Sequence, residues 1–204
     1  LCSNTTGANN TAIGMCAMRT STTGVDNTVV GMCSLFANTT GSQNIAIGKF
    51  SLAANTTASN NVAAGHRSME TNTTGAANVA IGEQALRYNT TGANNTAVGV
   101  STLLANTTGA DNTAMGAESL KDHTTGGNNT AYGAYSAANT TTGQGNVALG
   151  RAALETNTTG NFNTAVGQSA LLANTTGADN AAFGRQALYS NTTAAQNVAM
   201  GTCA

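Results

Sequence analysis

The chain contains no proline and no tryptophan, and only 7% of its residues are charged. Disordered segments are ordinarily rich in charge or proline and do not place large apolar residues at fixed intervals. These shortages therefore point to an ordered chain, but not to an ordinary globular mix. Seven Lys and Arg scattered over 204 residues, with a formal net charge of −1, offer no basic stripe for nucleic acid or for an anionic membrane surface. No apolar run exceeds a few residues, so this segment contains no membrane-spanning helix. Four cysteines are too few to frame a fold of this length by disulfides. None belongs to a C-x-x-C pair or a Cys/His cluster with zinc-site spacing.

What is present is a repeat. Glycine recurs every 17 residues from Gly14, Gly31 and Gly48 to Gly201, and twelve units of 17 fill all 204 residues as a single tandem array. With each unit numbered from Leu1, the consensus is L-x-x-N-T-T-G-x-x-N-T-A-V-G-x-x-A. Positions 5 and 6 are always Thr, position 10 is always Asn and position 14 is always Gly. Position 12 is Ala except at Val29, and position 4 is Asn except at Ser21, His123 and Thr140.

A 17-residue unit is too short for two packed helices, and its glycines, threonines and asparagines are poor helix formers. The expected fold is all-β, a parallel β-solenoid of twelve coils. One strand is expected over positions 11 to 13, a second over 16 to 2, and a short third in the Asn-Thr-Thr segment. Glycines at 7 and 14 and asparagine at 10 are expected at corners that need a positive φ or a side chain bonding its own backbone. Stacking places like on like, about 4.8 Å apart, so Thr5, Thr6, Asn10, Gly14, Asn27, Gly31, Asn44 and Gly48 should begin structural ladders. Every charge falls at position 2, 3, 9, 15 or 16, as in Arg19, Asp26, Lys49 and Glu83, and those positions must face water. Positions 1, 12, 13 and 17 are never charged and belong inside or at an interface. The large apolar residues at 1 and 13 are taken as the core. Aromatic variants at Phe36, Tyr132, Phe162, Phe183 and Tyr189 mark a surface or a groove between chains.

No catalytic chemistry emerges. His66 and His123 are three or more coils apart at different positions, carboxylates are scattered without pairing, and Gly143-Gln144-Gly145 precedes no phosphate-binding helix. Neither a cofactor nor a metal is expected. Two surface possibilities accompany the structural one. A column of threonine hydroxyls is the kind of array that binds ice or carbohydrate, although adjacent threonines point to opposite faces and only one column can be exposed. Asn4, Asn38 and Asn55 open N-x-[ST] patterns and are candidate glycan acceptors.

The Asn163-Thr164-Ala165-Val166-Gly167-Gln168-Ser169-Ala170 segment and its copies resemble the head repeats of trimeric autotransporter adhesins and the related repeats of phage and virus tail-fibre proteins. The resemblance runs the length of the chain, with a longer period and an added N-T-T-G segment such as Asn38-Thr39-Thr40-Gly41. It implies a parallel, left-handed, trimeric rod outside the cell or on a virion, partnered by copies of itself and presenting contacts to a host receptor or glycan. Joining Ala204 to Leu1 keeps the repeat in register, which suggests a window of a longer array or a unit that stacks end to end. Abutting ends would bring Cys203, Cys16 and Cys33, all at position 16, into one column as stacked free thiols.

Overall fold

The computed structural model describes residues 3–204; Leu1 and Cys2, and with them the expected seam, lie outside the described residues. Each coil contributes one three-residue strand, from β1 (Thr11–Ile13) and β2 (Thr28–Val30) through β5 (Val79–Ile81) and β6 (Thr96–Val98) to β12 (Val198–Met200). The twelve strands form one parallel sheet in sequence order. The register is one full coil, Thr11 opposite Thr28 and Ile13 opposite Val30. The fold is thus an all-β parallel solenoid, with no helix among the described residues.

Only positions 11 to 13 are strand. The segments expected as second and third strands are turns and bends, yet their backbones still bond from coil to coil. Leu35 N donates to Ser51 O, Ala37 N to Ala53 O and Thr39 N to Thr56 O, all at 2.8–2.9 Å. Ladder hydrogen bonding therefore continues around the coil without the extended geometry of a strand. The reason is the backbone conformation. Positions 9, 16 and 1 are left-handed in coil after coil, as at Asn94 (φ 58°), Ser101 (φ 54°) and Leu103 (φ 51°). Among the described residues, only glycine adopts a positive φ beyond those three positions.

The glycines divide into two kinds. Position 14 has φ between 121° at Gly48 and 145° at Gly65, a region closed to other residues, and a Cβ on Gly82 would lie 2.4 Å from Gly99 O. Position 7 does not need a positive φ. Its glycine gives clearance instead, since a Cβ on Gly75 would meet Gly92 O at 2.2 Å. Ala58 and Ala194 show that this second constraint gives way where the first does not.

The interior differs from expectation at one position. Positions 11 to 13 alternate as anticipated, but the small residue points inward. Ala80, Ala97 and Ala114 are fully buried, while Ile47, Ile81 and Met115 at position 13 are exposed. Among the described residues the apolar core is therefore one side chain at position 1, large in every coil but that of Ala137, such as Leu86 or Leu103, with alanine or Val29 at 12, and alanine, serine or threonine at 17. The space between opposite walls of so short a coil admits little more. No charged residue is buried, as required for isolated charges.

Position 1 carries Leu, Met or Ala and never Ile or Val. Branching at Cβ is what a left-handed backbone tolerates least. Leu86→Met should cost under about 1.5 kcal/mol, as for other volume-conserving core exchanges. Leu86→Ile should cost about 2 kcal/mol more, because it adds backbone strain at φ 51°. Urea unfolding midpoints of the two variants check this, and equal losses would exclude the strain.

Candidate functional site

The interior is built on amides. Asn95 Nδ2 donates to Asn78 Oδ1 (3.1 Å) in the preceding coil and to Gly109 O (2.9 Å) in the following one. Its Oδ1 accepts from both the backbone N and Nδ2 of Asn112, each at 3.1 Å. The backbone-to-Oδ1 bond repeats from Asn10 through Asn27 and Asn44 to Asn197, and the amide-to-amide bond accompanies it at every step but Asn44 to Asn61. A second amide column stands at position 4, where each Asn Nδ2 donates to the carbonyl of position 7 in its own coil and, where the preceding coil also has Asn there, to the preceding amide. Asn38, Asn55, Asn72, Asn89 and Asn106 form one unbroken run. Where position 4 is Asn, the position-7 carbonyl serves both columns, as Gly109 O accepts from Asn95 and Asn106.

The threonines separate as the alternation requires. Thr5 Oγ1 donates to Thr22 O (3.0 Å), and the same bond repeats through Thr22, Thr39 and Thr56 toward Thr175. At position 6 all twelve threonines, Thr6 to Thr193, are exposed. The Asn38 and Asn55 Nδ2 atoms, which a glycan would need, are buried and donate to Gly41 O and Ala58 O, so these two side chains are closed to modification in the folded coil. Asn4 is exposed, although its Nδ2 donates to Gly7 O at 2.9 Å.

Outside, the β-sheet carries an apolar stripe. Ile13, Ile47, Ile81, Met115, Tyr132, Phe183 and Met200 project from position 13, joined from position 11 by Ile45 and Val198. Sequence reasoning assigned position 13 to the core; the signal against that was its tolerance of every size from Ala64 to Tyr132. A few polar and charged side chains on other faces are paired. Arg87 Nε lies 2.8 Å from Glu70, and His66 Nδ1 lies 3.5 Å from Glu83. Lys121 lies 2.9 Å from Glu118, whose hydrogen bond and charge raise the lysine pKa. Among the described residues, no three His, Cys, Asp or Glu side chains come together as metal ligands. Gly145 is explained by packing: a Cβ there would lie 2.6 Å from the Phe162 ring in the next coil.

The amide column at position 4 breaks at Ser21, His123 and Thr140, and those breaks account for nearly all the unsatisfied buried polar atoms. Among the described residues, Ser21 Oγ, Asn106 Oδ1, His123 Nδ1 and Thr140 Oγ1 have no partner, and only Arg67 Nε shares that condition elsewhere. His123 Nε2 lies 2.7 Å from Gly126 O. A carbonyl can only accept, so Nε2 carries the proton and the ring has no donor left for Asn106. Burial lowers the His123 pKa, opposed by the hydrogen bond to the Gly126 carbonyl. The unfolded chain then binds this proton first, so stability is lost as the pH falls below about 6.5 toward the lowered folded value, and levels off beneath it. His123→Asn restores the missing donor and should stabilise the fold by about 1–3 kcal/mol at neutral pH. Denaturant unfolding between pH 7.5 and pH 5 should show a smaller acid loss in the variant; an unchanged pH dependence would remove His123 as its source.

Comparison with protein-family models, with curated proteins and with solved structures returned no match.

Proposed function

We propose that this chain is a structural shaft: a stiff, non-enzymatic rod outside the cell or on a virion, assembled from parallel copies of itself. It would act by setting a distance and presenting contacts at its surface. The observation that carries the reading is the apolar stripe, which is uncovered while twelve coils remain in continuous register. Contiguous apolar surface of this kind marks an interaction face. Its side chains repeat once per coil along a rod of roughly 58 Å, at about 4.8 Å per coil. Only a partner with the same spacing can match it along that length, and another copy of the chain meets that requirement. The resemblance to adhesin heads and tail-fibre repeats points to three copies about a common axis.

A second reading is supported by the position-6 threonines, which are exposed in every coil with no intramolecular partner for their hydroxyls. One regular hydroxyl column offers a face to ice or to carbohydrate. Only one column is exposed, so the shaft is favoured.

Sedimentation equilibrium should give three chains, and electron microscopy a rod that keeps the coil repeat. Ile47→Lys with Ile81→Lys should yield monomers that retain β-type circular dichroism. A wild-type monomer at micromolar concentration would contradict the shaft. So would inhibition of ice recrystallisation that disappears on Thr74→Lys with Thr91→Lys, which would establish the hydroxyl face instead.

A further inference from the structure

Sulfur is concentrated at one corner of two successive coils. Met15 and Cys16 stand at positions 15 and 16 of the first coil, and Met32 and Cys33 at the same positions of the second. Cys33 N donates to Met15 O at 2.9 Å, so the coils are in register there. Cys16 (φ 60°) and Cys33 (φ 55°) share one backbone conformation, which sets their Cα–Cβ bonds parallel. Side chains in this column reach across coils. Cys203 Sγ lies 3.5 Å from Gln186 Oε1, and the Arg67 guanidinium lies 6.0 Å from the centre of the Phe50 ring. Both thiols are free and partly exposed.

Parallel Cβ atoms one coil apart are separated by about 4.8 Å. That exceeds the roughly 3.5–4.5 Å that a disulfide takes between its Cβ atoms. Sulfurs in matching rotamers keep the coil spacing. Two metal–sulfur bonds of about 2.3 Å placed end to end span about 4.6 Å. The spacing that opposes an S–S bond therefore fits a sulfur–metal–sulfur bridge. Thiolate and thioether ligands select soft ions such as copper(I), whereas zinc takes four ligands.

We infer that Cys16 and Cys33 form a two-coordinate site for a soft monovalent cation of the copper(I) or silver(I) class, with the Met15 and Met32 thioethers alongside. On binding, two S–H bonds give way to two metal–sulfur bonds. Two thiols and one monovalent cation become one anionic dithiolate complex, two protons are released, and nothing is oxidised or reduced. The bridge ties the first coil to the second. The site belongs to a single chain and does not depend on how many chains make the rod.

The test is titration of the full chain, with thiols reduced and reductant removed, with silver(I) nitrate alone in chloride-free buffer. In a Cys2→Ser, Cys203→Ser background, which leaves only the two stacked thiols, calorimetry in buffers of different ionisation heat should give one tight silver per chain with two protons released, and native mass spectrometry should show the one-silver species. Cys16→Ser and Cys33→Ser should each weaken the site by roughly a hundredfold or more, because the second ligand then no longer binds intramolecularly. Cys203→Ser should leave it intact. Ser101 and Ser169 already occupy position 16, so the serine variants should fold, and circular dichroism verifies this. The site is overturned if either Cys16→Ser or Cys33→Ser binds silver as tightly as the native chain. It is equally overturned if peptide mapping of the air-exposed, metal-free chain finds Cys16 joined to Cys33 by a disulfide.

Discussion

A primary amide carries two N–H donors and an oxygen able to accept two hydrogen bonds. In a coil that returns to the same place every 17 residues, one amide's donors can meet the preceding amide and a neighbouring carbonyl while its oxygen serves the next coil. That arrangement satisfies a buried asparagine completely, and Asn95 is an instance. It also constrains everything else. A buried amide without partners costs several kcal/mol less its residual contacts, so coils cannot slip in register or change length without breaking the column. The apolar core, with one large side chain per coil, is too slight to impose such register by itself. Order along the rod follows from polar groups that have no other way to be satisfied.

The corners follow from the same tightness. Coils stacked this closely leave the next carbonyl within reach of any Cβ at position 7 or 14. A 17-residue circuit closes only by turning through left-handed residues at positions 9, 16 and 1. Faults concentrate where the amide column is interrupted, at Ser21, His123 and Thr140, rather than where side-chain bulk varies. Bulk varies freely outside, as the aromatics at Tyr132, Phe162 and Phe183 show.

Much of this is legible in the sequence because the chain aligns with itself. The invariant Asn10 and Gly14 columns, the outward charges and the split between Thr5 and Thr6 all follow from repetition and alternation. Two things were harder to read. Alternation says which residues share a face but not which face is inside, and hydrophobicity favoured Ile81 over Ala80 for the core. The narrow interior decided otherwise, and the near-invariance of position 12 beside the variety of position 13 was the available sign. Left-handed corners are expected at glycine and asparagine, whereas Leu86 and Gln84 also adopt them. There the sign was an exclusion: no Ile, Val or Thr occurs at positions 1, 9 or 16.

Whether amide hydrogen bonding rather than space-filling holds the rod together can be asked at one buried side chain. Asn95→Leu keeps nearly the same shape but removes both donated and both accepted side-chain bonds, leaving Asn78 Oδ1, Gly109 O and Asn112 each short of a partner. At about 1 kcal/mol for each of the four buried hydrogen bonds lost, and more for the Asn112 backbone N–H left without an acceptor, equilibrium unfolding in urea should show a loss of about 4 kcal/mol or more. A leucine variant as stable as the native chain would show that the amide columns fill the interior without holding it.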